Sequence, residues 1–191
     1  AALDRLPMGV IMVDEDGVVI ARNRAAATIL DQRDGLVEDQ GVLQGGTHAQ
    51  TLALHRIVRA ALADEIDEND RSLTLNRPSG RRPLELVVVP AEQEEAEDGQ
   101  VVTLFVTDPA GESETDPRLL QRIYGLTRAE SNFAALLAKG KKVEEVAETL
   151  HISLHTARGH LKNIFAKTST NRQANLVRLL VTGPAQLRLG A

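Results

Sequence analysis

In 191 residues the chain has neither cysteine nor tryptophan. Without thiols there is no disulfide framework and no thiolate metal site, and a flavin photoadduct, which needs a cysteine nucleophile, is excluded. Aromatic side chains make up 2 % of the chain, three Phe and one Tyr. Phe105 is the only one in residues 1–117, so a stacking cage for a flat cofactor has little material. No apolar run approaches the roughly 20 residues of a membrane span, and the N-terminus shows no signal-peptide pattern. A cytoplasmic protein without membrane contact is expected. The chain opens on Ala1, not Met, which leaves open that it is a fragment of a longer protein. Serine, histidine and acidic residues occur, but no nucleophile elbow, metal-spaced histidine cluster or phosphate loop organises them for chemistry. No enzymatic activity, cofactor or metal is expected.

Charge is present and unevenly placed. Residues 118–191 hold 12 Lys+Arg against 4 Asp+Glu, whereas residues 1–117 hold 10 against 23. The balances are +8 and −13, together the formal −5 of the whole chain. A basic half can neutralise phosphates and release counterions, and asymmetry of this kind points to nucleic acid. The length suits two domains of about 100 and about 65 residues.

Residues 126–181 read as four short helices separated by tight turns. Thr127 followed by Glu130 spells a capping box. Ala129, Phe133, Leu136 and Leu137 then recur at helical spacing until Gly140. A second helix places Val143, Val146, Ala147 and Leu150 on one face. After a turn through His151 and Ile152, Ser153 suits the N-cap of a third helix buried through Ala157, Leu161, Ile164 and Thr168. Thr170 and Gln173 spell another capping box, and the fourth helix ends where Gly183-Pro184 forbids continuation. The second and third helices have the proportions of a helix-turn-helix, in which the later helix enters the major groove. Projected at about 100° per residue, the third helix turns His155, Gly159, Lys162 and Asn163 away from its buried stripe, with Arg158 and Ala166 alongside. Arg158 and Lys162 are four apart and reach one groove, where their donors match the acceptor pair of guanine. Gly159 in mid-helix costs about 1 kcal/mol against Ala. Because it points away from the stripe, close approach of the backbone to base edges is favoured over internal crowding.

These residues resemble the LuxR-type (GerE-like) DNA-binding domain. The shared pattern is Leu126-Thr127, Glu130, Gly140, Glu145-Val146-Ala147, Ile152-Ser153, Thr156-Ala157-Arg158-Gly159-His160 and Ile164-Phe165-Ala166-Lys167. The resemblance implies that Arg158, Gly159 and Lys162 contact bases, joined by Asn163 on the same face. It implies that Lys139, Lys142, Thr156, Lys167 and Arg172 lie near phosphates. The last helix is similar to the one through which family members pair on DNA, making Leu176, Leu179 and Leu180 the expected dimer seam. Two departures stand out. Val143-Glu144 replaces the usual Asn-Lys and removes a phosphate contact, and Thr168 and Thr170 replace Leu and Val.

The acidic half alternates differently. Segments 9–13 and 18–22 read as strands joined at Asp14-Glu15-Asp16-Gly17, a hairpin turn. Segment 25–30 reads as a short helix. Thr47 and Gln50 spell a third capping box, opening a helix with Leu54, Ile57, Val58 and Ala61 on one stripe. Strands at 72–76, 84–89 and 101–107 follow, with Pro78-Ser79-Gly80 as the first turn and an acidic loop, 92–98, between the last two. This order is similar to a PAS domain, as is the opening Leu6-Pro7-Met8-Gly9-Val10 through Arg22-Asn23-Arg24-Ala25-Ala26. The expected fold is α+β: a PAS-like antiparallel five-stranded sheet with flanking helices, then an all-α four-helix LuxR-type domain. Boundaries are expected at 1–108 for the PAS-like sensor or dimerisation domain, 109–118 for the linker, 119–182 for the helix-turn-helix domain and 183–191 for a C-terminal tail. Asp116 and Pro117 suit the N-cap and first position of a short helix.

A haem would need an axial ligand, but His48 and His55 flank the apolar stripe of their helix and read as solvated. A small or apolar metabolite held by aliphatic residues stays open as a ligand, beside the simpler reading that this domain pairs subunits. An inhibitory contact of loop 92–98 with the basic half is a further alternative. A receiver domain would use Asp14, Glu15 and Asp16, but it needs an acceptor Asp about 40 residues on, and residues 40–63 hold no Asp or Glu. A sigma-like subunit contacting RNA polymerase is disfavoured by His160 with Lys167, and an acyl-homoserine-lactone receptor by the lack of Trp and Tyr in residues 1–117. The reading that unites these features is a regulator that binds double-stranded DNA as a homodimer, with RNA polymerase as a further partner.

Overall fold

The computed structural model describes residues 2–63, 65, 67, 70–90, 100–111 and 115–186. It divides into two compact units, Ala1–Gly111 and Glu112–Ala191, each with its own apolar core.

In the first unit, β1 (Gly9–Val13) and β2 (Val19–Arg22) form a hairpin. Its turn is closed by Asp14, whose carboxylate accepts from the amides of Asp16 and Val18 at 3.0 and 2.9 Å. Helix α1 (Arg24–Asp31) follows. The buried side chain of Asn23 ties that helix to the sheet. Its Oδ1 accepts from the amides of Ala26 and Val10, both at 2.9 Å, and its Nδ2 donates to the carbonyls of Leu3 and Met8.

A second hairpin comes next, β3 (Leu36–Asp39) with β4 (Val42–Gly45), outside the main sheet. No strand is expected from the sequence at these residues. Their signal is the turn: Gln40 and Gly41 have φ of 49° and 84°, the left-handed pair of a tight hairpin, with Gln where Asn or Asp is usual. Helix α2 (His48–Leu62) and strands β5 (Ser72–Leu75), β6 (Leu84–Pro90) and β7 (Val102–Thr107) complete the unit. The sheet runs β2-β1-β7-β6-β5, antiparallel throughout. This is the expected five-stranded arrangement and not the parallel sheet of a receiver. The stripe Leu54, Ile57, Val58 and Ala61 of α2 joins Ile11, Val13, Leu86, Val88, Leu104 and Val106 in the core.

Two local expectations change. Thr47 caps α2 through the Gln50 amide at 3.2 Å, but the Gln50 side chain donates to the Asn76 carbonyl instead of closing the box, so it joins α2 to the end of β5. His48 is exposed as expected, whereas His55 is half-buried with Nε2 2.8 Å from the Leu43 carbonyl oxygen. The acidic stretch 92–98 lies outside the described residues.

A polar cluster that no periodicity reveals is centred on Arg77, whose side chain is 1 % exposed. Its Nε donates to Asp34 at 2.7 Å and its Nη2 to Gln32 at 2.9 Å, while Nη1 pairs with Asp108 at 2.7 Å. Asp34 also accepts from the hydroxyl and amide of Ser79. The Ser79 hydroxyl foremost, with the Ser79 amide and Arg77 helping against desolvation, lowers its carboxyl to about 2.

The second unit is helical: α3 (Pro117–Tyr124), α4 (Arg128–Ala138), α5 (Val143–Thr149), α6 (Leu154–Thr168) and α7 (Gln173–Thr182). Asp116 caps α3 through the Arg118 amide at 2.8 Å, with Pro at the first helical position as read. On α4 the buried stripe is Glu130, Phe133, Ala134, Leu137 and Ala138, and Ala129 is exposed, one residue off the expected face. The capping box of Thr170 and Gln173 does not form. The Thr170 amide donates to the Phe165 carbonyl at 3.0 Å and its hydroxyl meets that of Thr168 at 2.9 Å. Thr170 therefore finishes α6, and α7 begins two residues later with Arg172 at its N-cap. Gly183 ends α7, but the residues beyond it do not simply trail away. Ala185, in the 3-10 turn Pro184–Gln186, is buried in the core, and Gln186 donates to Thr115 Oγ1 at 2.8 Å and to the Leu180 carbonyl at 3.1 Å.

Candidate nucleic-acid interface

The site grows from the turn between α5 and α6. Glu145 closes the start of α5, its carboxylate accepting from the Lys142 amide at 2.7 Å. At the far end His151 takes a left-handed φ of 54°, and the Ile152 amide donates back to the Ala147 carbonyl at 3.0 Å. Ser153 then starts α6, its Oγ accepting from the Thr156 amide at 3.0 Å. Val146 and Ala147 of α5 and Ala157 and Ile164 of α6 are buried in one core, which fixes the angle between the helices. Half-buried Leu161 packs against the same core.

What this leaves outward is the face expected from the sequence. Arg158, Gly159, Lys162 and Asn163 are all exposed, and no side chain among the described residues holds the guanidinium of Arg158 or the ammonium of Lys162. A Cβ built on Gly159 meets nothing within 4 Å. Internal crowding therefore does not explain that glycine, and the outward backbone is open to an approaching surface. His155 and Thr156 are exposed beside it; the Thr156 hydroxyl shares a 2.8 Å hydrogen bond with Ser153.

The cations assigned to phosphates fall into two groups. Lys139, Lys142 and Arg172 are exposed at helix boundaries, at the C-cap of α4 and the N-caps of α5 and α7. Lys167 is different: its Nζ donates to Glu130 Oε2 at 2.7 Å, and the Glu130 side chain is 5 % exposed. Glu130 also accepts from the Thr127 amide at 2.8 Å, closing the capping box that the sequence spells. Burial opposes charge on Glu130, but the Lys167 and Thr127 hydrogen bonds outweigh it and hold the carboxyl below its usual range. The pair bolts α6 to α4. Sequence reasoning missed it, although both residues stood in the motif, because a pairing across 37 positions has no local periodicity.

The expected dimer seam needs correcting. Leu176 and Leu180 are 0 % exposed and belong to the unit's own core, and Leu179 is half-buried. Residues four apart share a helix face, and here that face is taken up by the unit itself. The exposed residues of α7 include Ala174, Arg178 and Val181, with Val177 half-buried. They line a shallow groove shared with Gly140 and Lys141.

Residues 125–180 match the bacterial regulatory proteins of the luxR family, and residues 3–109 match the PAS fold. The chain belongs to the LuxR-type regulators with an N-terminal PAS fold. It is a DNA-binding transcription regulator, and its family is not one of enzymes. No curated protein matches it. Among solved structures it is similar to a phage VqmA in complex with DPO, 16 % identical with a TM-score of 0.38 over 96 % of this chain and 87 % of that one. It is also similar to Vibrio cholerae VqmA in a ligand–DNA complex, 19 % identical with a TM-score of 0.37 over 97 % and 86 %. A PAS domain from Desulfitobacterium hafniense is 13 % identical with a TM-score of 0.31 over 56 % and 96 %. Among the described residues, no helix is long and apolar enough to cross a membrane.

Proposed function

We propose that this regulator binds a specific DNA sequence as a homodimer in the cytoplasm. Residues 119–182 read the duplex, 109–118 link, and 1–108 pair the subunits or sense a signal, with 183–191 as the C-terminal segment. The observation that carries the reading is the outward face of α6, where two unheld cations flank a glycine whose surroundings are empty. Arg158 and Lys162 donate to base edges, Asn163 joins them, and Gly159 lets the helix backbone come close. Lys139, Lys142, Thr156 and Arg172 hold phosphates and set register. Lys167, committed to Glu130, acts by positioning α6. With Leu176 and Leu180 buried, pairing of the DNA-binding heads falls to Ala174, Val177 and Val181. Two recognition helices then enter successive major grooves about 34 Å apart.

Selection of bound sequences from a random duplex pool tests this. Enrichment of a pseudo-palindrome with half-sites about one helical turn apart is expected. Recovery of no sequence preference would overturn the reading.

A further inference from the structure

The sequence places a linker at 109–118, but hydrogen bonds claim most of that stretch from both ends. On the PAS side, the Asp108 carboxylate accepts from the Ala110 amide at 2.9 Å, and its carbonyl accepts from the Gly111 amide at 3.0 Å. Arg81 donates to the Ala110 carbonyl at 3.0 Å. Asp108 is itself held at 2.7 Å by buried Arg77, which also grips Asp34 and Gln32. Gly111 lies tight on this turn: an added Cβ would stand 3.0 Å from the Asp108 carbonyl oxygen. On the helical side, Thr115 is 5 % exposed, and its hydroxyl accepts from buried Gln186 at 2.8 Å. The Asp116 amide donates to the Ala185 carbonyl at 3.2 Å. Asp116 then caps α3, whose Leu119 and Leu120 enter the core. In sequence, only Glu112, Ser113 and Glu114 lie between the two fastened ends.

We propose that this double fastening determines which half-site spacing the regulator accepts, with Arg81, Asp108, Thr115 and Gln186 as its positioning residues. The proposal rests on the dimeric, DNA-binding reading above and adds a second component to its specificity. Chain length carries the argument. A chain free from Asp108 to Leu119 would span up to roughly 38 Å, about one turn of duplex. The steps from Gly111 to Thr115 span at most roughly 14 Å. Lengthening a site by about five base pairs moves the second half-site about 17 Å along the duplex and to its opposite face. Two linked heads gain affinity from each other only where the tether can reach both sites. Long free tethers would follow the displaced half-site, whereas short fastened ones leave the second head unbound. Side chains on α6 choose the half-site, and the fastened ends choose the distance.

The test uses the full chain on three duplexes: the selected site, the same site lengthened by about five base pairs, and a single half-site. Wild type should bind the selected site at least roughly 100-fold tighter than the lengthened one. A Gly-Ser-Gly-Ser-Gly-Ser insert after Ser113 leaves both fastened ends intact and should narrow that ratio to roughly 10-fold or less. The double variant Arg81→Ala, Thr115→Val loosens both ends without stranding a buried charge, since the Arg81 side chain is 42 % exposed. It should narrow the ratio at least roughly threefold. All three proteins should bind the single half-site alike, which a general loss of folding would not allow. Amide hydrogen exchange reads the fastening itself: the Gly111 and Asp116 amides of wild type should exchange at least roughly 10-fold slower than in an unfolded chain. A wild type that prefers the selected site to the half-site but ignores its length would overturn the proposal. So would an inserted chain as strict as wild type, a double variant as strict as wild type, or unprotected Gly111 and Asp116 amides. A wild type that binds two half-sites no tighter than one would overturn the dimeric reading, and this proposal with it.

Discussion

The two units differ in where their most buried cation and their best-placed exposed cations lie. In the PAS unit three arginines are committed to carboxylates: Arg77 is sealed between Asp34 and Asp108, Arg81 reaches Asp108 at 3.5 Å, and Arg22 pairs with Glu38. In the helical unit, Lys167 is spent the same way on Glu130, while Arg158 and Lys162 on the same helix are exposed, with no side chain among the described residues holding them. Burying a charge is tolerable only when it is paired. Leaving a charge unpaired at the surface costs the fold little and keeps it available. The difference teaches which cations hold the structure and which can hold a ligand, more reliably than net charge does.

Substitutions can break that contrast, beginning with the deepest. Arg77→Ala strands two carboxylates and should destabilise the PAS unit by about 3 kcal/mol, read as a lowered urea midpoint, whereas Arg158→Ala should leave it unmoved. Lys167→Ala should cost the helical unit about 1–3 kcal/mol, a buried-pair penalty reduced because the lysine is itself partly exposed. Lys162→Ala, five residues earlier, should change stability by less than about 0.5 kcal/mol but weaken binding to the selected duplex roughly 10-fold. An equal melting shift for the two lysine variants would erase the distinction. Gly159→Ala should stabilise α6 by about 1 kcal/mol, since the new methyl meets nothing, and still weaken DNA binding by holding the helix off the bases. Acid sharpens the comparison last. A carboxyl whose pKa is lowered by folding contributes stability that is present above its unfolded value and lost as pH falls through its folded one. Glu130 should therefore stabilise the helical unit at neutral pH and cease to do so as pH drops below its ordinary 4.5, a dependence that Lys167→Met should flatten in thermal melts. Asp34 should keep contributing until about pH 2.

Much of this could be read from the residues, and the failures share a cause. Helical and strand periodicity, together with Asp, Ser and Thr at element starts, located the sheet, α2 and the helix-turn-helix, because each signal lies within a few residues of what it determines. The exposure of Arg158, Gly159, Lys162 and Asn163 followed from the same projection. Arg77 with its carboxylates, and Glu130 with Lys167, join positions far apart in the chain, and nothing local marks them. The seam on α7 came from family resemblance alone, and resemblance does not say which face of a helix is outward: Leu176 and Leu180 belong to the unit's own core. Thr170 and Gln173 carried a valid local motif that lost to the termination of α6. The β3–β4 hairpin escaped notice because Gln40-Gly41 is an uncommon spelling of its turn.

Base reading by α6 depends most directly on how Arg158 discriminates between sequences. Affinities of wild type and Arg158→Ala for the selected duplex and for random duplex, measured at one salt concentration, decide it. We expect a loss of about 1–3 kcal/mol on the selected duplex with little change on random DNA, while Lys142→Ala weakens both alike. An equal loss on both duplexes for Arg158→Ala would contradict base reading by α6.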